Sequence, residues 1–138
     1  MFILDTNVLS AILSVKGAPK VAAWIEEQPE KLLFTTSVSK AEILSGLAVM
    51  PEGRRRTALE DAVRAMFLED FDGRVLPFDT TAAAAYAEIF ATRRRAGRPI
   101  AALDLMIASI ARANSAAVVT RDISGFEGCG LTVIDPWA

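Results

Sequence analysis

Histidine is missing from this 138-residue chain altogether. Its absence removes Ser-His-Asp and Cys-His catalysis, histidine acid–base pairs and every zinc site that needs an imidazole. Cysteine occurs once, at Cys129, so the chain has no intrachain disulfide and no CxxC metal or redox motif, and it suits a reducing compartment. A basic excess is lacking too. Fifteen Lys and Arg against 17 Asp and Glu leave a net charge of −2, which disfavours a protein that holds nucleic acid by a broad positive field. No apolar run is long enough to span a bilayer: the most apolar stretch, "AALDLMIASIARA", carries Asp104 within it. Nor does a basic start with a long apolar run and a cleavage site open the chain. A cytoplasmic protein without a membrane contact is the expectation.

What is present suffices for a core. Hydrophobic residues make up 52% and charged residues 23%, the balance of one soluble domain across residues 1–138. Short runs rich in β-branched or aromatic residues, "FIL", "LLFTT", "RVLPF", "AAVVT" and "LTVI", read as strands. Between them, helical spacing of apolar residues predicts helices over Asn7–Leu13, Pro19–Gln28, Ser37–Met50, Glu52–Phe71, Thr80–Ala96 and Ala101–Asn114. Pro19 fits a first helical position, Ser37 an N-cap, Asp79 a helix start, and Gly97-Arg98-Pro99 a helix end. The order β-α-α-β-α-α-β-α-α-β-β implies an α/β fold: a three-layer α/β/α arrangement around a mostly parallel sheet, its last connection open.

Four carboxylates stand in awkward places. Asp5 interrupts "MFILDTNVLS" directly after the first strand, and Asp122 follows "AAVVT" in the same manner, on the same side of the extended chain as Thr120. Either alone reads equally well as a helix cap or a turn acid. Glu42 sits inside a helix beside Val38, Ser39, Ser45 and Gly46. Asp104 shares its helical face with Ile100, Ala101, Ile107, Ala108 and Ala111, all apolar. A charge there costs several kcal/mol on the order of an ion's desolvation penalty, so something positive should meet it: an arginine, with Arg112 and Arg121 available, or a metal ion.

If the four acids converge, they raise one another's pKa values and a divalent cation resolves the conflict. An all-oxygen donor set suits Mg²⁺ or Mn²⁺, with one or two carboxylates bound directly and others outside, or two ions. Such a site makes phosphodiester hydrolysis plausible, with an activated water leaving a 5′-phosphate.

These residues resemble a known family. "MFILDTNVLS", Glu42 in "SKAEILSGL", Asp104 in "IAALDLMIASIARAN", and "AVVTRDISGF" with the closing "GLTVIDPWA" are similar, end to end and in order, to the PIN-domain ribonucleases of bacterial toxin–antitoxin pairs, the VapC toxins. The final "PW" and "RVLPFD" look most like the FitB branch. The resemblance implies that Asp5, Glu42, Asp104 and Asp122 are the catalytic, metal-binding acids, with Asp5 and Asp104 the foremost ligands, and that Thr6, Asn7 and Thr120 orient them. It further implies an endoribonuclease using Mg²⁺ or Mn²⁺, a homodimer, and neutralisation by a cognate antitoxin through which the complex binds operator DNA. One departure stands before the fourth strand, where Asn114 and Ser115 replace the His or Gly of many relatives.

Weaker signals remain. Arg93, Arg94, Arg95 and Arg98 cluster at a helix C-terminus, where cations meet the helix dipole and where RNA phosphates could be held. Arg54–Arg56 reads as a solvated helix start, and Trp24 and Trp137 read as core. An apolar groove between the first helices would suit an antitoxin helix. Two rival functions share the pattern. A haloacid dehalogenase-type phosphatase would use Asp5 as nucleophile, but the second acid it needs is Asn7, and no Lys follows Ile89. A non-catalytic RNA- or partner-binding module would keep the fold without the turnover.

Overall fold

A computed structural model describes all residues, 1–138. The first strand is three residues long, β1 (Phe2–Leu4), and its two faces decide the layering. Ile3 belongs to one apolar core and Leu4 to another, as do Val118 and Val119 of the fourth strand, β4 (Ala117–Val119). Alternation along an extended chain sends successive side chains to opposite faces, so both strands are buried on both sides.

Five strands form one sheet. With β2 (Leu33–Thr36), β3 (Val75–Leu76) and β5 (Val133–Ile134), the order is β3-β2-β1-β4-β5. Every neighbouring pair runs parallel, with Ile3 opposite Phe34 on one side and Val118 on the other. Parallel neighbours need crossovers, which the helices supply. Those are α1 (Thr6–Leu13), α2 (Pro19–Glu26), α3 (Ser37–Ala48), α4 (Arg54–Ala65), α5 (Thr80–Arg95) and α6 (Ala102–Ala113).

One layer packs Ala82 and Ile89 of α5 and Leu105, Ile107 and Ile110 of α6 on Ile3 and Val118. The other packs Val8 and Leu9 of α1, Val21 of α2 and Val63 of α4, with Met66 and Phe67 just beyond it, on Leu4 and Val119. Helix α3 belongs to neither alone. Its Val38 lies in the first core and its Leu47 in the second, so the middle of α3 crosses the sheet edge where the strands end. Glu42 is in that middle.

The expected elements are present, with three adjustments. The cap of α3 is Thr36 rather than Ser37, because Thr36 still has extended backbone and its hydroxyl accepts the Ser39 N–H at 3.0 Å. The long fourth helix starts at Arg54 and ends at Ala65, continuing as one π-helical turn over Met66–Asp70. The last connection contains a one-turn helix, α7 (Ile123–Phe126), and that extra turn lets β5 lie parallel to β4 rather than fold back as a hairpin. Pro19, Asp79 and Gly97 stand as the sequence implies: a first-turn proline, a cap accepting the Ala82 N–H at 2.9 Å, and a glycine at φ +68° past the end of α5. No helix is long and apolar enough to cross a membrane.

Candidate active site

The chain leaves β1 and turns into α1 with no intervening loop, because Asp5 caps the helix: its Oδ1 accepts the Thr6 N–H at 2.8 Å. The cap explains the local conformation. It leaves Asp5 Oδ2 free for other partners, and Thr120, just past β4, donates its hydroxyl to that oxygen at 2.8 Å. Strands β1 and β4 are adjacent, and chain connections leave them in opposite directions along the sheet, to β2 on one side and β5 on the other. Such a switch point, at the carboxyl ends of parallel strands, opens a crevice where ligands bind in α/β sheets.

Thr120 ties three groups together. Besides donating to Asp5, its oxygen accepts Asn7 Nδ2 at 3.0 Å and the Asp122 N–H at 3.1 Å. Asn7 in turn accepts the Arg121 N–H at 3.3 Å. Asp122 is fixed from its other side, since its Oδ1 caps α7 by accepting the Gly125 N–H at 3.1 Å. Glu42 reaches the same edge from α3. Its Oε1 lies 2.9 Å from Thr6 Oγ1, which also stands 2.9 Å from Ser39 Oγ. One hydroxyl proton serves one of these contacts, so Thr6 donates to the carboxylate and receives from Ser39.

Asp104 occupies the first turn of α6, half-buried against Ile107, Ala108 and Ala111, all fully buried. Neither arginine that could have met it does so. Arg112 pairs with Glu88 at 3.0 Å, and Arg121 lies over the Trp137 ring at 4.7 Å. What tolerates the acid is its place at the helix N-terminus, whose free N–H groups favour negative charge.

The acids feel one another. Burial pushes the Asp5 carboxyl above the usual carboxylate range, the hydrogen bonds from Thr120 and the Thr6 N–H pull against it, and the charges of Glu42 and Asp122 push it further up. Asp104 is raised by burial first, then by Asp5 and Asp122. No cation offsets either. Asp5 thus feels Glu42 and Asp122, and Asp104 feels Asp5 and Asp122, yet no three of the acids lie close enough together to form a metal-binding group.

The structure therefore gathers Asp5, Glu42, Asp104 and Asp122 with Thr6, Asn7 and Thr120 at one sheet edge. It disperses the arginines. Arg93 points inward, 5% exposed, with its Nε donating to the Arg98 carbonyl at 2.6 Å and its Nη1 to the Glu127 carbonyl. Arg98 pairs with Glu127 at 3.2 Å, and Arg94 lies over Phe90, leaving Arg95 exposed without a partner. Ser39 is the functional neighbour that sequence reading left without a role. Its signal is its spacing, one turn before Glu42 on α3.

The PIN domain model matches residues 2–127, which include all four acids. The chain belongs to the PIN-domain family. Within it, the chain is 40% identical over 137 residues to a VapC ribonuclease, Y4jK, of Sinorhizobium fredii, covering 99% of this chain and 98% of the relative. It is 34% identical over 137 residues to Toxin FitB of Neisseria gonorrhoeae, covering 99% of each. Among solved structures, FitAB bound to the IR36 DNA fragment superposes with a TM-score of 0.94 at 34% identity, covering 100% of this chain and 96% of that one. The PIN fold is thus shared with proteins of the VapC and FitB kind.

Proposed function

We propose that this PIN domain is a metal-dependent endoribonuclease, the toxin of a type II toxin–antitoxin pair. The observation that carries the reading is the convergence of Asp5, Glu42, Asp104 and Asp122 at the β1/β4 switch point, with Asp5 and Asp104 held at raised pKa and no protein cation to neutralise them. An oxygen-only donor set in a chain without histidine fits Mg²⁺ or Mn²⁺ and not zinc or copper. Asp5 and Asp104 would hold the ion, with Glu42 and Asp122 beside it; a loose ring of acids suits Mg²⁺, which keeps several of its waters. Bound there, the ion supplies an acidified water and charge neutralisation at a phosphate oxygen.

The protein's own part is placement. Thr120 holds the Asp5 carboxylate, Thr6 holds Glu42, and the α7 cap holds Asp122, so that each acid is oriented before substrate arrives. Such hydrogen bonds to ligating carboxylates typically change metal affinity or activity by about 10- to 100-fold.

The antitoxin reading has its own support. A groove of about 780 Å³ runs between α1, α3 and α4, lined by Leu13, Ile43 and Leu59, by Lys16 and Arg55, and by Thr6 and Glu42 of the candidate site. An apolar segment of an antitoxin laid in that groove would stop RNA at the carboxylates. Operator DNA enters this reading only through such a complex, by similarity to the FitAB–DNA structure. A homodimer and a cytoplasmic site of action complete it, with the chain acting as one domain over residues 1–138.

Induced expression in a bacterial host tests the proposal as a whole. It predicts growth arrest with RNA cleavage, both relieved by Asp5→Asn; arrest with intact RNA, or none at normal expression, would overturn it.

A further inference from the structure

One cation stands at the carboxylate edge without a charge partner. Arg121 lies between Thr120 and Asp122, its main chain anchored by donation of its N–H to Asn7 Oδ1 at 3.3 Å. Its guanidinium makes no ion pair with the acids of the site and donates no hydrogen bond. Instead it lies over the Trp137 ring, 4.7 Å from the centroid. The indole is itself held in place. The Trp137 main-chain N–H donates to Asp135 Oδ1 at 2.9 Å, and its segment is tied to the site by the Thr120 N–H donating to the Ile134 carbonyl at 2.8 Å. Half-buried Trp137 packs on the core that contains Leu4 and Val119, while Arg121 remains exposed.

A long flexible side chain on the surface ordinarily samples many rotamers, and stacking on an aromatic face restricts it. The guanidinium lies against the ring and its N–H groups have no protein acceptor. Those groups are up to five donors in a fork that matches the oxygens of a phosphate. Three other arginines of the C-terminal half are engaged elsewhere: Arg93 with main-chain carbonyls, Arg98 with Glu127, Arg112 with Glu88. A crevice lined by four acids repels a polyanion, so the strand needs a fixed positive contact at its margin.

We propose that Arg121, held on the Trp137 indole, grips a backbone phosphate of the RNA strand next to the bond that is cut, and so positions the strand over the carboxylates. This rests on the nuclease reading above. Arg121 holds the strand and Trp137 holds Arg121; neither moves a proton.

The test uses a fluorescein-labelled pool of short structured RNAs, bound in Ca²⁺ at several salt concentrations and cleaved in Mn²⁺. Arg121→Ala should bind about tenfold more weakly, the loss expected for one charge-assisted contact. Its plot of log affinity against log salt should be shallower by about 0.7–0.9, the slope of one phosphate contact. In cleavage, KM should rise by the same factor with kcat within about twofold. Trp137→Leu should show the same pattern in part with the arginine intact, and Arg121→Lys should restore the salt slope but only some of the affinity. Thermal unfolding checks that each variant is folded. An unchanged slope and KM in Arg121→Ala, with the wild type cutting, overturns the assignment of Arg121 alone. Wild-type binding without cutting in Mn²⁺ overturns the nuclease reading while the slope comparison still decides the phosphate contact, and no binding by the wild type overturns both.

Discussion

Thr120 and Asp5 are separated by 115 positions in the chain, yet the Thr120 hydroxyl donates to Asp5 Oδ2 at 2.8 Å across the junction of β1 and β4. The bond exists because the two strands are parallel neighbours in register, Leu4 opposite Val119, so the residues that follow them emerge side by side. It stabilises the ionised form of an otherwise desolvated acid.

Removing that donor has a defined consequence. In Thr120→Val the Asp5 carboxyl loses the contact that lowers its pKa, so the acidic limb of the cleavage–pH profile should move to higher pH. The rate at neutral pH should fall about 10- to 100-fold, the range for groups that orient a metal-binding carboxylate. A pH profile of Thr120→Val beside wild type checks both.

Asp104 offers a stability test with a definite sign. Its folded-state pKa is raised by burial and by Asp5 and Asp122, so around its titration the native state holds more proton than the unfolded chain. The contribution is fully present below the unfolded value of 3.8 and is lost as pH rises through the raised folded value. Asp104→Asn removes the buried charge and should melt higher than wild type at neutral pH in EDTA. Adding Mn²⁺ should then raise the Tm of wild type and leave that of the variant nearly unchanged. Scanning calorimetry with and without Mn²⁺ reads both effects.

Gly125 carries the placement of Asp122. A Cβ built there would lie 2.2 Å from Asp122 Oδ2, so the carboxylate must swing away if any side chain is added. Gly125→Ala should therefore lower cleavage by at least about tenfold, within the range for mispositioned site groups, with RNA binding retained. Steady-state cleavage and Ca²⁺-supported binding separate the two.

Ser115 is the one non-glycine residue with positive φ, at 52°. It stands in the turn between α6 and β4. Left-handed backbone costs an L-residue roughly 1–2 kcal/mol, part of which glycine's greater unfolded-state freedom takes back. Ser115→Gly should stabilise the fold by about 0.5–1 kcal/mol without altering activity, read by urea denaturation.

Much of this site is legible in the sequence. Asp5 and Asp122 are recognisable because β-strand parity and the abrupt end of apolar runs place them at strand termini, and Asp104 because every helical neighbour is apolar. Glu42 is harder, since nothing local says that α3 crosses from one core to the other; that follows from Val38 and Leu47 packing on opposite faces of the sheet. Of the two counter-charges open for Asp104, the arginine is not there, since Arg112 pairs with Glu88 and Arg121 lies over Trp137; in the first turn of α6 the backbone itself supplies some positive potential. Arg93 fails differently. Ala82, Ala85, Ile89 and Arg93 recur at the spacing of one helical face and all are buried, so the period that marks the core of α5 also turns that arginine inward. A charge run had masked a phase that was already present.

We propose that the four carboxylates at the β1/β4 edge form a metal-dependent ribonuclease site. Its most direct test incubates chelator-stripped protein with a mixed pool of end-labelled structured RNAs, with and without Mn²⁺ or Mg²⁺, beside Asp5→Asn. The cuts should need the metal, bear 5′-phosphates and vanish in the variant. Cuts that end in cyclic phosphate, or that persist in EDTA and in Asp5→Asn, would contradict it.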